Sequence, residues 1–429
     1  MPGGGGLLQL VAQGKQDVFL TGNPQVTWFK MVYRRYTNFA IESQQLYFDG
    51  TADFGKRVTC LIPRRGDLLG PMLLEISLPT LTLTTGKVVP YVNSVGHALI
   101  EEISIEIGEQ EIDKQTGEWM EVWNQLTIPA GQRAAYDIMV GRVEGLNDPQ
   151  SSDPTFKVYV PLQFWFNRNP GQYLPLLALQ YHPIRLNLKL RPLQDLFYIA
   201  AGSGSAGACS VNEQVNRVTL GDISLWGDYV YLDKEERRRF VANSHEYLIE
   251  QVQYTMPVAI PSDTLTQNVR LEFNHPLREL IWLVQRDVMI SNHEWFNFGS
   301  ITTGEQGIPR NLLASAKIQV DGYDRFEERD GNYFRLVQPY QYHTNIPLQT
   351  YVYVYSFALR PEDSQPNGSL NASRIDNMIL QLTMQPDSTA APGASTYSPP
   401  RGNARARVYA RNHNVLRVVN GFGGLLFSI

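Results

Sequence analysis

The sequence predicts an all-β protein made of two like domains, each a sandwich or jelly roll, with a short helix ahead of them. Three observations carry that expectation. Short segments alternate apolar and polar residues with a period of two. The composition, with 34 glycines, 26 prolines and 22 tyrosines in 429 residues, favours turns and strands. Finally, one pattern occurs twice at a constant offset.

The first element is the stretch NPQVTWFKMVYRRYTNFAIES at residues 23–43. Asn23 suits a helix N-cap, and Pro24 suits the first turn, where a missing N–H costs nothing. Trp28, Phe29, Val32, Tyr33 and Tyr36 fall at i, i+1, i+4, i+5 and i+8, which is one face of a helix. Lys30, Arg34 and Arg35 lie elsewhere around it. A short helix with an aromatic face is therefore expected here.

Beyond residue 40 the period changes to two. ISIEIGEQEID (103–113) sets Ile103, Ile105 and Ile107 against Ser104 and Glu106, as a half-buried strand requires. IRLNLKL (184–190), KIQV (317–320), YVYVYSFAL (351–359), MILQLTM (378–384) and RARVYA (405–410) read the same way. Further helices are expected only in 131–141 and at DKEERRRFVAN (233–243).

The repeat organises these elements. Gly108 and Gly117 recur as Gly322 and Gly331, both at an offset of 214 residues. Between them Ile112-Asp113 matches Phe326-Glu327, and after them Trp119 matches Tyr333. The strands before Gly108 and Gly322 alternate one residue out of phase, so a bulge or slip is expected. Downstream, each copy continues as strand, Pro-containing loop, strand, low-complexity loop and closing strand. Two copies of one β-domain explain this order better than one large sheet. We place the arm at 1–36, the first domain at 37–233, a stiff helical linker at 234–244 and the second domain at 245–429. Residues 127–156, 200–216, 286–310 and 386–403 are long and polar or rich in Gly and Pro, and should lie outside the sandwiches.

A hydrophobic fraction of 43% with 18% charged residues indicates a globular chain. The formal net charge of −5 argues against a protein that coats nucleic acid over its whole surface. Cys60 and Cys209 make no disulfide framework, and two thiols in a reducing compartment are expected. The opening MPGGGGLLQL lacks the basic and apolar regions of a secretory leader, and no apolar run is long enough to span a membrane. The expectation is a soluble protein made inside a cell.

Fragments that imitate catalytic motifs fail on context. GSGSAG (202–207) has no amphipathic helix after it to hold a pyrophosphate. GTADFGKR (50–57) puts Arg57 where a P-loop needs Ser or Thr. Glu109, Glu111 and Asp113, at alternate positions, offer the best enzymatic set. A carbohydrate-active or carbohydrate-binding β-sandwich is the alternative they support. Exposed acids beside a turn are more often a solvated edge. The seven histidines show no metal-ligand spacing. No catalytic, cofactor-binding or metal site is expected. Asn367 (NGS) and Asn371 (NAS) match the N-glycosylation pattern, against the plainer reading of a polar loop. Near the C-terminus Arg405, Arg407, Tyr409 and Arg411 share one strand face, opposite Ala406, Val408 and Ala410. A wet strand face is the first expectation, and a surface for something acidic is the second.

Several long stretches resemble a known family. DVFLTGNPQVTWFKMVYRRYTNFAIES, DKEERRRFVANSHEYLIEQ, FNHPLREL, AKIQVDGYDRFEERDGNYFRLVQPYQ and YVYSFALRPEDSQPNGSLNASRIDN look like the major capsid proteins of nucleocytoplasmic large DNA viruses. The resemblance runs from about residue 7 to the C-terminus. It implies two consecutive eight-stranded antiparallel jelly rolls and a homotrimer that forms a pseudo-hexameric capsomer. It also implies neighbouring capsomers, penton and minor capsid proteins as partners, commonly over an internal membrane, in a virion assembled in the host cytoplasm. By the same resemblance Trp28, Phe29, Val32, Tyr33 and Tyr36 would pack on the inner face of the capsomer or on a partner. The alternative is that they plug their own barrel. Some of the long loops would form outward tops.

Overall fold

The computed structural model describes residues 4–84, 88–142, 155–200, 209–210, 215–302, 309–348, 350–386 and 400–428. The chain divides into two units, Met1–Asn38 and Phe39–Ile429.

The first unit holds two short helices, Gly5–Val11 and Asp17–Thr21. Residues 24–38 are not helical, which corrects the helix expected from Asn23 onward. Asn23 adopts φ 49, a left-handed value in place of the extended backbone usual at an N-cap. Two physical reasons explain the failure. Val26, Thr27, Trp28, Phe29, Val32, Tyr33, Tyr36 and Thr37 are β-branched or aromatic and gain little from a helix. A helix this short also needs a packed face, yet within the unit Trp28 is 89% and Phe29 99% exposed.

In the second unit the alternating segments pair into four main sheets. The first barrel uses β1 (Phe39–Leu46), β2 (Arg57–Leu61), β3 (Leu68–Pro79), β4 (Ile100–Ile107), β5 (Gln110–Gln115), β6 (Thr155–Pro161), β7 (Ile184–Leu190) and β8 (Ile223–Leu232). They form two antiparallel sheets, ordered β1-β8-β3-β6 and β2-β7-β4-β5. The second barrel uses β9 (His245–Tyr254), β10 (Thr266–Leu271), β11 (Pro276–Arg286), β12 (Leu313–Val320), β13 (Tyr323–Asp324), β14 (Arg329–Asp330), β15 (Tyr353–Ser356), β16 (Met378–Met384) and β17 (Ala404–Val419). Its sheets run β9-β17-β11-β15 and β10-β16-β12-β13, with β14 also on β12. The strand order of one barrel therefore repeats in the other, and each is a jelly roll.

Alternation places the cores. β7 and β16 bury every second residue, so Leu186 and Leu188 enter one core and Leu380 and Leu382 the other. Leu74, Ile76, Ile103, Ile105 and Leu225 complete the first centre; Leu280, Trp282, Ile318, Ala406 and Val408 complete the second. Each large apolar side chain so buried contributes roughly 1.5–3 kcal/mol. The two expected helices are present as Ala130–Val140 and Lys234–Ala242. The former lies in the stretch 127–156 that was expected to be loop. The low-complexity segment 202–207 lies outside the described residues.

The phase difference between the copies has a specific origin. Ile107 pairs with Gln110 across Gly108-Glu109, and Val320 pairs with Tyr323 across Asp321-Gly322. All four central residues have positive φ: 57 and 69 in the first turn, 48 and 84 in the second. Glycine thus stands first in one tight turn and second in the other, and the returning strand of the second copy holds one more residue. The copies are offset by 213 residues at the turn and by 214 at Gly117 and Gly331.

Candidate functional site at the seam between the barrels

Antiparallel order puts the connections β1–β2, β3–β4, β5–β6 and β7–β8 at one end of the first barrel, here the loop end. The two tight hairpins mark the opposite, hairpin end. At the loop end Trp295 Nε1 donates to Asp195 O at 2.8 Å and His293 Nδ1 to Phe197 O at 2.8 Å. At the hairpin end Tyr181 N donates to Gly421 O at 3.0 Å and Leu425 N to Gln110 Oε1 at 3.1 Å. Like ends of the two barrels touch, so the barrels lie side by side in the same sense.

Between them runs a buried seam. Thr116 caps the helix Gly117–Thr127 by accepting from Trp119 N at 3.2 Å. Gly117 is required there, because a Cβ would lie 2.0 Å from His97 O. The helix drives Trp119, Val122, Trp123 and Leu126 against Ile281, Leu283, Val354 and Tyr409 on the outer face of the second barrel. Edge strands also meet: Val252 N in β9 donates to Asp113 Oδ1 in β5 at 3.1 Å, and Gln251 donates to Ile112 O. Each edge is thereby covered by the other barrel.

Below this apolar contact lies a charged cluster. Arg411 donates to Glu279 Oε1 at 2.7 Å and pairs with Glu250, which also binds Arg278 and, at 2.9 Å, Arg168. His343 Nε2 lies 3.0 Å from Glu279 Oε2, an ion pair poorly aligned for a hydrogen bond, and His343 Nδ1 lies 2.9 Å from Glu362 Oε1. The Arg411 guanidinium sits 3.8 Å from the centre of the Trp123 ring. Burial alone would raise the pKa values of Glu250 and Glu279. Arg411, Arg168 and Arg278 outweigh it at the first, His343 and Arg411 at the second, and both fall to about 2. Burial alone would lower His343, but Glu279 and Glu362 hold it up at about 9. Most of these charges are taken out of water and paired with one another, which fixes the geometry of the seam.

The seam corrects two expectations. The Arg405–Arg411 strand face is wet only at its Arg405 end and is buried from Tyr409 onward. Arg411 is 1% exposed, and Arg407 Nη1 lies 2.5 Å from Glu118 Oε2 on the first barrel's helix. The acidic counterpart is supplied by this chain itself. The alternate acids do not form one array either. A bulge at Ile112 separates Glu111, which pairs with the outward Glu106, from Asp113, which pairs with the inward Ile105. Burial lifts Asp113 to about 6 while it accepts from Val252 N, so it serves the seam. The carbohydrate reading loses its residue set.

Trp28, Phe29, Val32, Tyr33 and Tyr36 are 76–99% exposed within the arm. Asn367 uses its side-chain amide inside a turn, donating to Arg360 O at 2.8 Å, while Asn371 is exposed. Cys60 is buried, and burial pushes its thiol up to about 11. Among the described residues no group of His, Cys, Asp and Glu is placed to hold a metal, and no helix is long and apolar enough to cross a membrane. Sequence reasoning missed Arg168, Glu250, Arg278, Glu279, His343 and Glu362. Apart from the adjacent Arg278 and Glu279 they are scattered along the chain, and only the fold collects them.

Two parallel jelly rolls locked by a buried seam define a double jelly-roll coat protein. The family described as "Major capsid protein N-terminus" matches residues 27–233, and "Large eukaryotic DNA virus major capsid protein" matches residues 236–424. The major capsid protein of Paramecium bursaria Chlorella virus 1 is 39% identical, covering 99% of each chain. That of Phaeocystis pouchetii virus is 37% identical, again covering 99% of each. The quasi-atomic model of the PBCV-1 virus capsid superposes with a TM-score of 0.79 at 34% identity, covering 94% of this chain and all of that one. The Faustovirus major capsid protein shares the fold, with a TM-score of 0.75 at 12% identity. This chain belongs to the major capsid protein family of large eukaryotic DNA viruses, and is a structural component of the virion capsid.

Proposed function

We propose that three copies of this chain associate into a pseudo-hexameric capsomer, and that such capsomers tile the icosahedral shell of a large double-stranded DNA virus. One observation carries the reading. Two barrels of like topology are clamped side by side in the same sense, so a threefold axis would repeat six like wedges. One chain type could then fill a flat lattice with near-equivalent edges. Penton and minor capsid proteins would complete corners and seams, near an internal viral membrane, during assembly in the host cytoplasm. No sequence-specific nucleic-acid contact enters this reading.

The modules of that assembly are an arm (1–36), two barrels (37–233 and 245–429) and a linker (234–244). The exposed aromatic residues of the arm support packing on an inner-face partner. All four long stretches, 127–156, 200–216, 286–310 and 386–403, connect strands at the loop end, which supports that end as the outward top. Asn371 is the better placed of the two sugar acceptors.

Light scattering of the purified protein tests the oligomer. The expected mass is three times the 48.6 kDa chain. A single-chain mass at every concentration overturns the reading. Removing residues 1–36 should leave trimers that fail to enter particles, and normal incorporation would remove the arm's role.

A further inference from the structure

The seam is an asymmetric contact: a helix of the first barrel covers an outer sheet face of the second. The duplication means that the same two parts exist in the opposite combination, and within one chain that combination is left open. At the offset set by Gly117 and Gly331, the seam residues Trp119, Val122, Trp123 and Leu126 correspond to Tyr333, Leu336, Val337 and Tyr340. Every one of the four is again apolar or aromatic. They lie on the helical segment formed by Tyr333–Val337 and Gln338–Tyr342. In the first copy Trp119, Val122 and Leu126 are fully buried and Trp123 is 3% exposed. In the second, Tyr333 and Leu336 are half-buried, Val337 is 39% exposed and Tyr340 is 76% exposed.

The receiving face is duplicated too. Across the second barrel, Tyr254, Tyr409, Ile281 and Val354 form one cross-strand row under the helix. Across the first barrel, Gln45, Trp226, Leu73 and Pro161 form a row through the same four strand positions. An aromatic stands on the second strand of each row, a branched aliphatic on the third and an apolar residue on the fourth. Trp226, Leu73 and Pro161 are only half-buried and line a groove of about 320 Å³, with Pro71 and Glu75 beside them. In the second barrel the matching row is covered.

The geometry points to a second copy of this chain as the occupant: the segment Tyr333–Tyr342 of one chain covers the Trp226–Leu73–Pro161 face of the next. The contact repeats between chains the one already made within each chain. It is heterologous, because helix and face differ, and a head-to-tail contact of that kind closes into a ring when its rotation allows. Alternating internal and external versions would give six barrels six like joints. This inference rests on the trimer reading above and names its joints.

Complementation tests the joint separately from the trimer. One variant carries Val337→Arg with Tyr340→Arg and loses the helix side; another carries Trp226→Arg and loses the face. All three substitutions are at partly or fully exposed positions, and unchanged circular dichroism and melting confirm the fold. Each variant alone is expected at one chain mass, a threefold drop from the wild type. Mixed, they should give twice the chain mass, since only one intact helix and one intact face can meet. Tyr340→Phe should stay trimeric. A trimeric wild type whose two variants both remain trimeric overturns the joint and leaves the trimer standing. Variants that are both monomeric but give no dimer on mixing also overturn it, because helix and face then do not meet each other. A wild type that is itself monomeric removes the reading beneath it.

Discussion

The two helical segments that follow the hairpins teach most when compared. Both begin at a glycine that a neighbouring carbonyl crowds: a Cβ would lie 2.0 Å from His97 O at Gly117 and 2.5 Å from Leu313 O at Gly331. Both present apolar residues at the same spacing. The first is buried in the seam and the second is largely open. Local sequence built the same part twice, and the environment differs because one chain has only one inner joint. An apolar face kept in the exposed copy has a physical cost in solubility, and that cost is explained if another chain covers it.

Substitutions at equivalent positions turn this contrast into numbers. The largest effect is expected in the charged part of the seam. Arg411→Met leaves Glu250 and Glu279 buried without their shared cation, and should cost about 3–5 kcal/mol in denaturant unfolding. Trp123→Ala should cost a similar ~3–5 kcal/mol by emptying a packed site, whereas its counterpart Val337→Ala should cost less than about 1 kcal/mol in the isolated chain. Equal losses at the two would break the comparison.

The hairpins allow a smaller version of the same test. At Gly322, φ 84 faces open space, so Gly322→Ala should cost about 1–2 kcal/mol for left-handed strain alone. At Gly108 a Cβ would also lie 2.3 Å from the His182 ring, which is bound to Gly423 O at 2.8 Å, so Gly108→Ala should destabilise more. Melting curves of the pair decide the order.

The pH dependence is the subtlest signature. His343 is protonated up to about pH 9 in the folded chain, against an ordinary 6.5. Its contribution should be complete below its ordinary pKa and disappear as pH rises through 9. Glu250 and Glu279 work in the other direction, contributing above their ordinary 4.5 and losing that contribution as pH falls through about 2. The stability gap between wild type and His343→Gln should therefore close on the alkaline side. A gap unchanged to pH 10 would show that His343 is not titrating against Glu279 and Glu362.

Much of the architecture is legible in the chain because a period of two and a repeated turn are local properties. Ile103, Ile105 and Ile107 announce their strand, and Gly108 and Gly322 mark two hairpins. The helix expected after Asn23 fails for a reason that is equally local once recognised: an aromatic periodicity is not enough where propensity is poor and the arm itself supplies no packing surface for the face. The Arg405–Arg411 face was correctly assembled as a face, but its surroundings were unreadable. Nothing in the spacing of Glu118, Glu250 and Glu279 indicates that one strand carries their counterions, because those contacts span 132–289 residues. Asp113 shows the same limit, since a single bulged residue decides whether it faces water or the seam.

Electron microscopy of the purified wild-type protein most directly addresses the claim that two clamped, like barrels let three chains imitate a six-sided tile. Six-lobed plates with threefold symmetry are the expected image. Solitary two-lobed particles across all concentrations, or trimers whose barrels do not form a ring, would contradict it.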